Sequence, residues 1–181
     1  MVQDYRTLNT ITIKNKYPLS LISKVVIKLQ GAHYFTKLDI HWGFNNVHIK
    51  PGDEWKVALC TNCGLFKPLV MFFSMTNSPV TFQTRMNNIF WDLIAEGIMI
   101  VYLDIILTFT QTLKEYYRVV CRVMEVLAKH KLFLCPEKCD FYLTPSMRKQ
   151  PSPKCRKVGC TSLWHPCIPM LCCKYLQDPS G

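Results

Sequence analysis

The sequence predicts an α+β fold, an antiparallel sheet with helices packed on one face. Three observations predict it. Short segments alternate apolar and polar residues with period 2. Longer segments repeat apolar residues at helical spacing. The two kinds follow one another as strands, helix, strand pair, helix and strand, the order of a sheet with segregated helices.

The elements are justified in turn. Leu38 to Ile49 has strand-like pieces around a polar, glycine-containing centre. Val47 and Ile49 alternate with His48 and Lys50, Pro51-Gly52-Asp53-Glu54 signals a turn, and Trp55, Val57 and Leu59 resume the alternation. That pattern predicts an antiparallel hairpin. Ser78 suits a helix N-cap and Pro79 its first position. Phe82, Met86, Ile89, Phe90 and Leu93 then recur at helical spacing as a core stripe, and Gly97 marks the stop.

Ile98 to Phe109 is almost continuously apolar, rich in β-branched and aromatic residues, and reads as a buried strand or a tight hairpin of two short ones. Asp104 interrupts it. A carboxylate there is costly unless it is hydrogen-bonded, protonated or metal-bound, or sits exposed at a turn. Next, Thr112-Leu113-Lys114-Glu115 fits a capping box, and Leu113, Tyr117, Val120, Met124 and Leu127 supply an apolar helix face. Lys129, His130 and Lys131 close that helix with favourable positive charge. Leu132 to Leu134 is strand-like.

The chain has 181 residues, enough for one domain, and 49 % are hydrophobic, which argues against disorder. No unbroken apolar run reaches the roughly 18 residues of a membrane span. The start, MVQDYR, lacks the apolar core of a signal peptide. A soluble, intracellular protein, cytoplasmic or nuclear and neither secreted nor membrane-bound, is expected. The net charge of +10 favours a polyanionic partner, nucleic acid or an anionic membrane, without choosing between them.

That charge is uneven. Residues 1–140 carry 16 Lys+Arg against 11 Asp+Glu, and residues 141–181 carry 6 against 1, so each part has a net of +5. The shorter part also holds five of the ten Cys and six of the eleven Pro. We therefore read 1–141 as the folded domain and 142–181 as a basic Cys/Pro-rich tail, unstructured or translated out of frame. Cys60-x-x-Cys63 and Cys135-x-x-x-Cys139 are isolated pairs, short of the four ligands of a structural zinc site, and ordinary thiols are the expected reading.

Several segments carry a family resemblance in collinear order: Asp4-Tyr5-Arg6-Thr7-Leu8-Asn9 followed by Lys16-Tyr17-Pro18-Leu19, then Phe35-Thr36-Lys37-Leu38-Asp39, Ile49 to Lys56, Met75 to Gln83, Val101-Tyr102-Leu103-Asp104, and Pro136 to Phe141. From about Asp4 to Phe141 the chain resembles the fingers–palm part of a reverse transcriptase. The likeness is to the gypsy-type class of LTR retrotransposons, encoded within a Gag-Pol polyprotein. The resemblance implies RNA-directed DNA polymerisation, with Mg²⁺ as cofactor and an RNA or DNA primer-template and deoxynucleotides as partners. Nucleotidyl transfer uses metal ions roughly 3.5–4 Å apart, held by hard carboxylate oxygens. By resemblance Asp39 and Asp104 are the catalytic, metal-holding acids. Phe44 excludes a ribose 2′-hydroxyl, Arg6 and Gln83 serve the nucleotide, and Thr76, Asn77, Ser78 and Pro79 lie along the template and primer.

The chain also departs from the family pattern. The family's second catalytic motif has two adjacent aspartates, whereas Asp104 is followed by Ile105, which cannot ligate a metal. Phe72 and Ser74 stand where the family usually has Pro and Gly. The chain opens close to the Asp4–Asn9 segment, and no thumb is recognisable after Phe141. Impaired or absent polymerase activity is therefore expected. The alternative from another class is a non-catalytic basic nucleic-acid-binding protein.

Overall fold

A computed structural model describes residues 4–19 and 22–144. Most of the tail read from composition lies outside the described residues. The helices are α1 (Arg6–Ile11), α2 (Ile22–Lys28), α3 (Ser78–Ile89), α4 (Trp91–Ala95) and α5 (Leu113–Lys129). The strands are β1 (Tyr34–Asp39), β2 (Leu59–Thr61), β3 (Gly64–Phe66), β4 (Met99–Tyr102), β5 (Ile105–Thr110) and β6 (Asp140–Leu143). Turns of 3₁₀ helix cover Gly43–Asn46, Glu54–Val57 and Pro136–Lys138.

The main sheet runs β4-β5-β1-β6 and every neighbouring pair is antiparallel. Alternation along β1 decides which side each residue serves. Thr36 and Leu38, with Ile40 just beyond the strand, face the main core and are buried. They are matched across β5 by Thr108 and Ile106. Phe82 and Met86 of α3 and Val120, Val123, Met124 and Leu127 of α5 close this side, all at most 2 % exposed. The buried Thr36 hydroxyl is satisfied by the Tyr116 Oη at 2.9 Å.

Among the described residues, the other face is covered at one end. Phe35, Ile100 and Phe109 are buried there, with Val25 of α2 and Leu29 just after it packed against them. Asp39, Ile105 and Tyr102 lie on the same face by register, toward its open end.

The apolar run over 98–109 forms the hairpin of two short strands, with Asp104 in its turn. Thr112 caps α5, its Oγ1 accepting from the Glu115 N–H at 3.3 Å. The buried face of α5 centres on Tyr116, Val119, Val120 and Val123, leaving Leu113 exposed at the margin.

Three local expectations change. The predicted hairpin over 47–59 does not form. Instead Ile49 N–H donates to Leu69 O and Met71 N–H to Val47 O, both at 2.9 Å. Residues 54–57 wind into a 3₁₀ turn, and Leu59 pairs with Phe66. A distant partner outcompeted local alternation, as tertiary context often does for β pattern. The helix beginning at Ser78 breaks at Phe90 before α4, although Phe90 remains buried with Leu93. Finally, among the described residues Leu132–Leu134 contributes the bridge of Leu134 to Ile40, and the added edge strand is β6.

Candidate active site

β1 ends on Asp39 and β5 begins on Ile105, and the register sets these two residues directly opposite each other. Tyr102 pairs with Ile105, so β4 and β5 are joined by the two-residue turn Leu103-Asp104. Ile40 N–H donates to Asp104 O at 2.9 Å, which ties the end of β1 to that turn. The two acids, 65 positions apart in sequence, thereby face one cleft.

The Asp39 backbone is held from the other side as well. Cys135 N–H donates to Asp39 O at 2.9 Å, and Asp39 N–H reaches Cys139 Sγ at 3.4 Å. These contacts bring the Pro136–Lys138 turn alongside, with Lys138 Nζ 3.8 Å from Asp39 Oδ1. Burial pushes the Asp39 carboxyl above its ordinary range, Lys138 pulls it down, and the Asp104 charge raises it again.

The wall opposite is built by the turn after β1. Trp42 adopts the left-handed conformation (φ 50, ψ 40), is exposed, and stacks on His41 at 5.0 Å. At Gly43 a Cβ would stand 2.9 Å from the Phe82 ring and 3.5 Å from Asp104 Cβ. Glycine alone lets this turn approach α3 and the acid-bearing turn together. Phe44 packs on Phe82 at 5.2 Å and edge-on against Phe73 at 5.5 Å. The resulting cleft, about 440 Å³, is lined chiefly by Asp39, Trp42, Phe44, Phe73, Asp104 and Lys138. A second concavity of about 500 Å³ lies at the far end of the sheet. It carries the Glu96–Arg122 ion pair at 2.6 Å, whose charges offset each other, so the chemistry points to the smaller cleft.

Of the residues singled out from sequence, Asp39, Phe44 and Asp104 meet in the cleft. The others do not line it. Arg6 is exposed and grips Asp4, with Nη2 2.6 Å from Oδ2. Thr76 N–H donates to Asn9 Oδ1, and Asn9 Nδ2 donates to Ser74 O, both at 2.9 Å. Asn77 is the N-cap residue of α3 in place of Ser78. Its amide donates to Ile13 O at 2.9 Å and accepts from Asn15 N–H at 3.0 Å. These reciprocal clamps strap residues 9–15 to residues 74–77. Ser78 and Pro79 open α3, and the buried Ser78 Oγ has no hydrogen-bond partner among the described residues. Gln83 is 1 % exposed beneath the cleft, bonded to the β4–β5 turn.

Lys138, Trp42, Gly43 and Phe73 were missed by sequence reasoning. Lys138 lies within a segment that carried the resemblance and the other three stand a few residues from one, but their convergence needs the tertiary structure.

The donor set suits a hard divalent ion in one respect. Mg²⁺ is commonly bound by one or two carboxylates together with waters and substrate phosphates, and Asp39 and Asp104 supply that pair. Ile105, opposite Asp39, supplies no oxygen. Among the described residues no group of three or more His, Cys, Asp or Glu could hold a metal. The site fits an ion shared with a polyphosphate and does not form a closed protein cage. Cys60 and Cys63 lie exposed on and beside the β2–β3 hairpin, apart from Cys135 and Cys139.

The fold matches solved structures of a foamy viral protease-reverse transcriptase. In complex with double-stranded DNA, one gives a TM-score of 0.72 at 19 % identity, covering 78 % of this chain and 24 % of that one. Another, with an RNA/DNA hybrid, gives 0.71 at 20 % identity, covering 77 % and 19 %. In sequence, the chain is 37 % identical over 141 residues to a retrovirus-related Pol polyprotein from transposon 297 of Drosophila melanogaster, covering 78 % of this chain and 13 % of the relative. It is 34 % identical over 142 residues to the transposon Tf2-7 polyprotein of Schizosaccharomyces pombe, covering 78 % and 11 %. The family model described as reverse transcriptase (RNA-dependent DNA polymerase) matches residues 1–176. The chain belongs to the reverse transcriptase family. It spans about an eighth of the length of these curated relatives. No described helix is long and apolar enough to cross a membrane.

Proposed function

We propose that the chain is a fingers–palm fragment of a gypsy-type LTR retrotransposon Gag-Pol reverse transcriptase whose RNA-directed DNA polymerisation is weakened or lost. One observation carries this reading: the two acids share a cleft, and Ile105 occupies the facing position on β5 that would add a third carboxylate. Its partners are an RNA or DNA primer-template and deoxynucleotides, and its compartment is cytoplasmic or nuclear.

The chemistry is in-line attack of a primer 3′-hydroxyl on the α-phosphorus of a deoxynucleotide, with pyrophosphate leaving. Bound Mg²⁺ supplies charge neutralisation on the phosphates and activation of the hydroxyl. Asp39 and Asp104 hold the ion, and Lys138 adds a positive charge beside Asp39. Phe44, braced by Phe82 and Phe73, forms the wall against a ribose 2′-oxygen. Residues 76–79 set the floor for template and primer through the clamped loop. Arg6 orders the start of its segment through Asp4, and Gln83 acts through the turn it holds. With one carboxylate missing, Mg²⁺ would be held more weakly, and the charge on the transition state would be less well neutralised.

Primer extension on an RNA template, in Mg²⁺ or Mn²⁺, tests the proposal. Trace or no incorporation is expected from the wild-type chain, and robust incorporation would overturn the impairment.

The net charge of +10 favours one second reading, a non-catalytic basic nucleic-acid-binding protein. The logarithm of its affinity would fall linearly with the logarithm of salt concentration through Lys/Arg–phosphate contacts. An unchanged affinity after deletion of residues 144–181 would refute a mechanism based on the tail.

A further inference from the structure

The turn that carries Asp104 is conformationally costly. Leu103 has φ +55, and Asp104 is not among the described residues with positive φ. In a two-residue hairpin loop this is the pattern of a type II′ turn, whose first position ordinarily takes Gly. A leucine with positive φ is strained and persists only where its surroundings hold it.

The holding groups form a continuous chain of amides. Leu103 N–H donates to Gln83 Oε1 at 2.7 Å, and Gln83 Nε2 donates to Val101 O at 3.1 Å. These backbone partners settle which end of the amide is which, because a backbone N–H only donates and a carbonyl only accepts. The remaining Nε2 hydrogen goes to Asn87 Oδ1 at 2.8 Å, one helical turn along α3. Asn87 Nδ2 then faces outward and donates to Tyr17 Oη at 2.7 Å. Tyr17 belongs to the N-terminal segment, where its N–H donates to Asn15 Oδ1 at 3.0 Å and Asn15 N–H donates to Asn77 Oδ1 at 3.0 Å.

We propose that Tyr17, Asn87 and Gln83 are positioning residues forming a directional relay, through which docking of the 13–17 segment sets the geometry of the turn bearing Asp104. None of the three lines the cleft. Their effect on chemistry therefore passes entirely through the Leu103-Asp104 turn. This rests on the reading of Asp104 as a metal-holding acid, but the relay itself is a property of the fold.

Amide hydrogen exchange of the full chain separates the two. Tyr17→Phe and Asn87→Leu are expected to speed exchange across residues 102–105 at least tenfold, while peptides from α5 keep their wild-type protection. Asn87→Asp can accept from Gln83 and from the Tyr17 hydroxyl, and is expected to restore protection. Thr84→Val removes a bond on the same helix outside the relay, from Thr84 Oγ1 to Val80 O, and should leave the turn unchanged. Unaltered exchange at 102–105 in both Tyr17→Phe and Asn87→Leu would overturn the relay, as would loosening spread evenly over the sheet. A Mn²⁺ titration of the same proteins is the second arm. If the wild-type chain binds no Mn²⁺ while the exchange pattern holds, the functional reading fails and the relay stands.

Discussion

Ile105 faces Asp39 across the β1–β5 ladder, the two side chains on the open face of the sheet. Asp39 is already under electrostatic load from burial and from Asp104, relieved in part by Lys138. A methyl-bearing neighbour adds no charge to that load. The pairing therefore sets an apolar side chain, not a third carboxylate, against Asp39 beside the two-acid cleft.

Ile105→Asp should reverse both properties. A third carboxylate opposite Asp39 is expected to tighten Mn²⁺ binding at least tenfold, read by titration. Without metal, like charges across a strand pair should lower stability by about 1 kcal/mol. Unchanged Mn²⁺ affinity would mean the facing position does not reach the ion.

Asp39→Asn carries a pH signature. Because the folded-state pKa of Asp39 is raised, the native state holds the proton more tightly than the unfolded state does. This group therefore favours folding below the ordinary carboxyl pKa and disfavours it above the raised value. The variant should melt higher than wild type at pH 7, and the difference should disappear as pH falls below about 3.8, the ordinary value. Thermal unfolding of both proteins from pH 3 to 8 measures it, and a gap that widens at low pH would refute the assignment.

Gly43→Ala tests the close approach behind the cleft. The new Cβ would lie 2.9 Å from the ring of Phe82, which is fully buried and has no room to yield. Overpacking of this kind costs about 1–3 kcal/mol. Urea denaturation should show that loss, and a change under about 0.5 kcal/mol would mean that the turn moves freely.

Ser78→Ala should stabilise the protein. The Ser78 hydroxyl is buried without a hydrogen-bond partner among the described residues, a state that costs about 1–3 kcal/mol. Alanine keeps the packing and removes the orphan, so a gain of about 1 kcal/mol is expected by denaturant titration. A loss instead would show that the hydroxyl has a partner.

Much of the site was legible because its chemistry is local. Asp104 stood out as an acid in an apolar run, and the turn that houses it follows from strand length. The Thr112 cap needed only neighbouring residues. The 47–59 segment misled because its alternation is equally compatible with two partners, and only the backbone bridge to residues 69–71 decides between them. Asn77 and Gln83 looked like ligand contacts from their motif, yet their amides are engaged by backbone groups up to 64 positions away.

The sequence by itself determined the α+β class, the family likeness, and the presence of Asp39, Asp104 and Ile105 in their motifs. Those are properties of residue type and order, and they survive without coordinates. Only the tertiary structure decided that Ile105 faces Asp39, that Lys138 stands beside it, and that a chain of amides reaches from Tyr17 to the Leu103-Asp104 turn. Register and side-chain hydrogen bonds are set by long-range packing, where a shift of one residue sends every side chain to the opposite face.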